Sequence, residues 1–126
     1  DVDAFDEAKA YAADREQFGG PIAEIEAIRH KFAEMATQLQ ASRLLVREAA
    51  RKEDAGEDNR IAASMAKYFA SEAAVDVTNE AVQIHGGYGY TSEFDVERFY
   101  RDSKITTIYE GTSEIQREIV ARGVLD

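Results

Sequence analysis

The sequence predicts an all-α fold, an antiparallel up-down four-helix bundle with a short extra helix, and three observations carry that expectation. A single proline, at position 21, interrupts 126 residues. Long stretches are rich in Ala, Glu, Lys, Arg and Leu, residues that lose little freedom in a helix. Apolar side chains recur at steps of three and four, the helical period, and no segment reads as strand. The length suits one domain, taken as residues 1–126, which can bury roughly two-thirds of its unfolded surface.

Phe5, Ala8, Tyr11 and Ala12 set the face of a first helix, expected to end near Gln17, because Gly19-Gly20-Pro21 lowers helix propensity and removes a backbone donor. From Ile25 a long second helix is marked by Ile28, Phe32, Met35, Leu39, Ser42, Val46 and Ala49. It should fade in the polar stretch 51–59, with Gly56 as breaker and Asp58 or Asn59 as the next cap. Ile61, Met65, Tyr68, Phe69, Ala73, Val75 and Val82 mark a third helix that stops at Gly86-Gly87. Three such helices cannot cover one another's stripes, so a fourth packing partner is expected. Ser92-Glu93-Phe94-Asp95 has the form of a capping box before a short helix at 96–101. The last helix should start at Thr112 or Ser113, since Ser113-x-x-Gln116 fits a capping box, and Gly123 suits its C′ position.

Charge and composition narrow the function. With 25 acidic against 15 basic residues the net charge is −10, which repels phosphate backbones and anionic headgroups. Nucleic acid and membrane surfaces are thus poor partners, and no apolar run approaches the ~20 residues of a membrane span. An anionic ligand would need locally placed Arg, backbone N–H groups and helix N-termini. Cysteine is absent, so neither disulfides nor thiolate metal sites are available. Neither His30 nor His85 has Glu three residues before it, which argues against a carboxylate-bridged di-metal site of the kind bundles build, and no metal is expected.

Three local signals remain, each with an ordinary reading. Gln83-Ile84-His85-Gly86-Gly87-Tyr88-Gly89-Tyr90 holds three glycines in four positions after a helix, enough for close approach of a ligand, though a helix stop and tight turn explain much of it. Its spacing and the preceding helix differ from a dinucleotide fingerprint. Ile105-Thr106-Thr107-Ile108-Tyr109 delivers Glu110 and Gly111 to the start of a capped helix, where the partial positive charge favours an ionised carboxylate; burial beside an apolar chain would act oppositely. Arg15, before the Phe18-Gly19 turn, is by itself an ordinary surface or ion-pair residue.

Together and in order, these segments resemble the acyl-CoA dehydrogenase family. Arg15-Glu16-Gln17-Phe18-Gly19 with Pro21-Ile22, Gln83 to Tyr90, Arg101-Asp102, and Ile108-Tyr109-Glu110-Gly111-Thr112-Ser113-Glu114-Ile115-Gln116 look like that family's C-terminal signatures, across nearly the whole chain. The resemblance implies a domain that follows a helical and a β domain, neither of which is in this sequence, with FAD between domains and across a subunit interface. It assigns a neighbouring subunit's FAD to Arg15, Gln17, Phe18, Gln83, Gly86 and Gly87, and the subunit's own FAD to Thr112 and Glu114. It makes Glu110 the base that takes the α-proton of an acyl-CoA thioester, giving a trans-2-enoyl-CoA, with Tyr109 and Gly111 lining the acyl and thioester pocket. Implied partners are acyl-CoA, an electron-transfer flavoprotein and further copies in a homotetramer or homodimer. The implied setting is fatty-acid β-oxidation in a cytoplasm, or a mitochondrial matrix in a eukaryote. Glu26 stands where many relatives carry Gln. The domain alone is expected to be inactive. An acyl-CoA oxidase on the same scaffold and a non-catalytic helical oligomerisation module are the alternatives.

Overall fold

The computed structural model describes residues 2–91, 93–109 and 111–126, apart from the side chains of Tyr88 and Tyr90. Five α-helices follow in order: α1 (Val2–Asp14), α2 (Glu26–Asp54), α3 (Arg60–His85), α4 (Val96–Lys104) and α5 (Ser113–Leu125). α3 packs against each of the other four, so it forms the axis of the bundle. The core joins Ala4, Ala8 and Ala12 of α1 to Met35 of α2, Val77, Ala81 and Ile84 of α3, and Val96 of α4. Alanines at steps of four let α1 lie close on α3, while Phe5 and Phe32 meet edge to face at 5.7 Å.

The first helix is shorter than the sequence suggests. It ends at Asp14, and a small antiparallel pair follows, β1 (Glu16–Gln17) with β2 (Gly20–Pro21), where no strand was expected. The cause is the two-residue turn between them: Phe18 at φ +55° and Gly19 at φ +86° are both left-handed, the conformation whose twist matches a tight hairpin. Ile22 N–H donates to the Arg15 carbonyl at 2.8 Å and closes the loop. Left-handed backbone costs a non-glycine residue roughly 1–2 kcal/mol, and Phe18 is 94% exposed, so its ring recovers none of that by packing.

α2 turns Ile28, Phe32, Met35, Leu39 and Ser42 inward, with Met35 fully buried. At its far end the seam departs from expectation. Val46 is half-exposed, and Leu45 instead lies beside Met65, Tyr68 and Phe69 of α3. The helix ends as anticipated at Gly56, φ +72°, with Glu57 N–H donating to the Lys52 carbonyl at 2.9 Å and Gly56 N–H to that of Glu53 at 3.2 Å, a Schellman arrangement. At the start of α3 Asn59 holds the cap position without a side-chain bond, and the Asp58 carboxylate accepts from Arg60 N–H at 3.0 Å.

α3 buries Ser64, Ser71, Thr78 and His85, every seventh residue. Thr78 satisfies its hydroxyl on the Ala74 carbonyl at 2.7 Å, inside the bundle. α4 begins after Asp95, which makes no side-chain cap; Ser92 of the expected capping box lies outside the described residues. At α5 the cap is Thr112, whose Oγ1 accepts from Ile115 N–H at 3.2 Å, while Ser113 turns away to Glu72. Gly123 does not end this helix. It lies within α5, where a Cβ would meet Ile61 Cδ1 at 2.3 Å, so the glycine serves close helix packing rather than termination.

Candidate cofactor and substrate site

Four residues separated by some 70 positions meet at one cavity. Arg15 and Gln17, from the end of α1 and the hairpin, and Gly86 and Gly87, from the end of α3, line a cavity of about 310 Å³. Ile22, Ile25 and Ile28 form its apolar side. A Cβ built on Gly86 or Gly87 would have no atom within 4 Å, so bare backbone faces open space there. Two of the expected contacts lie elsewhere. Gln83 lines a separate cavity of about 500 Å³ with Asn79, Glu97, Tyr100 and Arg101, and Phe18 projects from the hairpin tip.

His85 supports this cavity, a role the sequence reading did not give it. It is 2% exposed. Its Nδ1 lies 2.9 Å from the Ala81 carbonyl, and because a carbonyl only accepts, Nδ1 carries the proton. The ring stacks on Tyr11 at 4.3 Å and meets Phe94 edge-on at 5.2 Å, and Tyr11 and Phe94 meet at 5.8 Å. This trio joins α1, α3 and the approach to α4 directly behind Gly86-Gly87. Nothing in a single sequence brings Tyr11 and Phe94 to His85, because the contact depends on how the helices cross.

The second region runs from Ile105 to Glu114. A 3-10 turn, Ile105–Thr107, follows α4, and the hydroxyls of Thr106 and Thr107 donate back to the carbonyls of Ser103 and Lys104. Lys67 of α3 donates from Nζ to the Thr106 carbonyl and, at 3.2 Å, to Ser71 Oγ, and lies 5.8 Å from the centre of the Tyr109 ring. Tyr109 is half-exposed. Glu110, the expected base, lies outside the described residues. Gly111 is left-handed at φ +97°, with the Gln116 amide 2.6 Å from where a Cβ would stand. Thr112 caps α5, and Glu114 is exposed in its first turn, where the helix dipole favours a negative charge.

Several surface charges are paired. Arg101 donates to Glu97 at 2.7 Å and holds that carboxyl below the usual carboxylate range. The Arg117 guanidinium lies 4.8 Å over the Tyr68 ring, and Tyr68 is the chief group that holds its pKa above the usual value. Glu26 lies 3.6 Å from the exposed His30. Among the described residues no cluster of three or more His, Cys, Asp or Glu could hold a metal, and no helix is long and apolar enough to cross a membrane.

Arg15 offers positive charge in a chain of net −10, and the open backbone of Gly86 and Gly87 admits a flat or phosphate-bearing group without side-chain interference.

Residues 2–125 match the family model described as the acyl-CoA dehydrogenase C-terminal domain, and the chain belongs to that family. It is 52% identical over 122 residues to a 3-(aryl)acrylate reductase of Clostridium sporogenes, covering 97% of this chain and 32% of the relative. It is 50% identical over 118 residues to the caffeyl-CoA reductase-Etf complex subunit CarC of Acetobacterium woodii, covering 94% and 31%. Its structure resembles butyryl-CoA dehydrogenase from Megasphaera elsdenii with a TM-score of 0.95 and 45% identity, covering 98% of this chain and 32% of that one. The chain thus spans about a third of the length of the relatives it matches.

Proposed function

We propose that this chain is the C-terminal third of an FAD-dependent acyl-CoA dehydrogenase that converts an acyl-CoA thioester to a trans-2-enoyl-CoA, with Glu110 as the α-proton acceptor. The observation that carries the reading is the meeting of Arg15, Gln17, Gly86 and Gly87 around one cavity in a domain of this family. Arg15 would offset the charge of the FAD pyrophosphate or bind near the adenine, Gln17 would add a polar contact, and the glycine backbone would lie against the cofactor. Phe18, Gln83, Thr112 and Glu114 are the further contacts the resemblance supplies. When bound, FAD provides the acceptor for the hydride that leaves the substrate's β-carbon.

The chain's own task is the proton. A carboxylate at Glu110 takes the α-proton as the Cα–H bond breaks, while the backbone N–H of the same residue stabilises the enolate-like charge on the thioester oxygen. Tyr109 and Gly111 flank the acyl and thioester groups. Supply of acyl-CoA, reoxidation by an electron-transfer flavoprotein, assembly as a homotetramer or homodimer, and a cytoplasmic setting complete the proposal. The name of the Acetobacterium relative, an Etf complex subunit, supports the electron partner.

Two relatives named as reductases favour one second reading, in which the same transfers run backwards on an enoyl thioester. The proton then returns from Glu110 to the α-carbon. Relative rates of flavin reduction by acyl-CoA and of reduced-flavin oxidation by enoyl-CoA decide the direction.

In the full-length protein containing this chain, Glu110→Gln should leave flavin bound and slow anaerobic flavin bleaching by acyl-CoA by about 10²–10⁴-fold. Near-normal bleaching would reject Glu110 as the base. Rapid peroxide formation without an electron acceptor would point instead to an oxidase.

A further inference from the structure

We propose that Lys67 and Glu72 of α3 anchor the two ends of the loop that carries Glu110, which makes Lys67 a positioning residue for proton abstraction. The proposal rests on the reading of Glu110 as the base. Lys67 is half-buried, and its ammonium meets a backbone carbonyl, a hydroxyl and a ring: Thr106 at the near end of the loop, Ser71 Oγ at 3.2 Å, and Tyr109 at 5.8 Å. Ser71, the second acceptor, is itself 6% exposed. A lysine serving solubility would hold its charge in water. This one directs it at the 3-10 turn that precedes Tyr109.

Five positions along the same helix, Glu72 Oε1 accepts from Ser113 Oγ at 2.7 Å. Ser113 is 5% exposed and is the first residue of α5, yet its hydroxyl is bound to α3 while Thr112 supplies the cap. The loop between Thr106 and Ser113 is therefore fastened at each end to one rigid helix. Between the anchors Gly111 takes a left-handed turn, which leaves the backbone there little intrinsic preference of its own. A base must meet its proton within a few tenths of an ångström, and a displacement near 1 Å can slow the step about 100-fold.

The test uses the full-length flavoprotein and three variants, Lys67→Met, Lys67→Arg and Ser113→Ala, beside Glu110→Gln. Lys67→Met and Ser113→Ala should keep FAD and hold KM for acyl-CoA within about twofold, while kcat for flavin reduction falls about 10- to 100-fold. The isotope effect with substrate deuterated at the α-carbon should grow in both. Lys67→Arg should recover most of the rate, because its guanidinium can still donate to the Thr106 carbonyl. An unchanged kcat in folded Lys67→Met, a loss that only follows FAD release or a raised KM, or no recovery with Arg would each overturn the proposal. Should Lys67→Met fail to fold, an unchanged kcat in Ser113→Ala overturns it alone. Inactive Glu110→Gln beside normal Lys67→Met and Ser113→Ala would leave the base standing and remove its anchors; active Glu110→Gln would remove the base itself.

Discussion

Two of the glycines close together after α3 do different work. A Cβ on Gly89 would stand 2.6 Å from the Val82 carbonyl oxygen and 2.7 Å from His85 Cβ, and backbone cannot swing aside. A Cβ on Gly87 would meet nothing within 4 Å and would point at space the proposed cofactor needs. Gly89→Ala should therefore destabilise the fold by about 1–3 kcal/mol in denaturant titration. Gly87→Ala should unfold at the wild-type midpoint and lose FAD faster on dialysis. Equal effects of the two on stability would contradict this division. The sequence shows the cluster and its helix-ending role, but it cannot separate a glycine required by Val82 from one required by a ligand, since that depends on where the turn folds back.

At the scale of elements, helix interiors were legible and helix ends less so. Periodicity located α1, α2 and α3, because an apolar stripe of three- and four-residue steps has no other good solution, and capping signals located α4 and α5. Ends depend on weaker choices. Phe18 accepts a left-handed conformation that its type disfavours, so a hairpin replaces the last turn expected of α1. Gly123 looks like a terminator by residue type, and only the nearness of Ile61 reveals a packing role. The short α4 shows how electrostatics supports an element with little core: Glu97 in its first turn bonds Arg101 in its last. Because Arg101 depresses the Glu97 pKa on folding, the pair's contribution is complete above the ordinary carboxylate value and fades as pH falls through the lower folded value. The difference in melting temperature between wild type and Glu97→Gln should be present at about pH 7 and shrink as the pH is taken below the ordinary carboxylate value. A difference that persists in acid would mean the side chain acts through packing.

For the whole molecule, α3 is the common member of the two proposed sites. Its last turn backs the glycine cavity through His85, and its middle fastens the Glu110 loop through Lys67 and Glu72. Lys31 of α2 is paired with Glu80, which ties the longest helix to the same axis. One side of the domain is less complete. Leu45, Met65, Phe69, Val120 and Val124 line an apolar groove of about 610 Å³, and Val124 and Leu125 are 70% and 81% exposed. Exposed apolar surface on this scale belongs to an interface or promotes association. The isolated chain should accordingly bind an apolar dye and elute above its 14.0 kDa mass, and Leu45→Glu should reduce both. A strictly monomeric, dye-silent chain would show that the groove closes in solution.

The hairpin tip carries a consequence for anyone engineering the domain. Phe18 combines a disfavoured backbone angle with an exposed ring, so a library screened only for folding would be drawn to Asn or Gly there. A library screened for flavin turnover should retain the aromatic side chain if the ring reaches a neighbour's cofactor. Position 18 is where the two selections would part company, and the residue each one keeps would report whether the tip is made for this chain or for another copy of it.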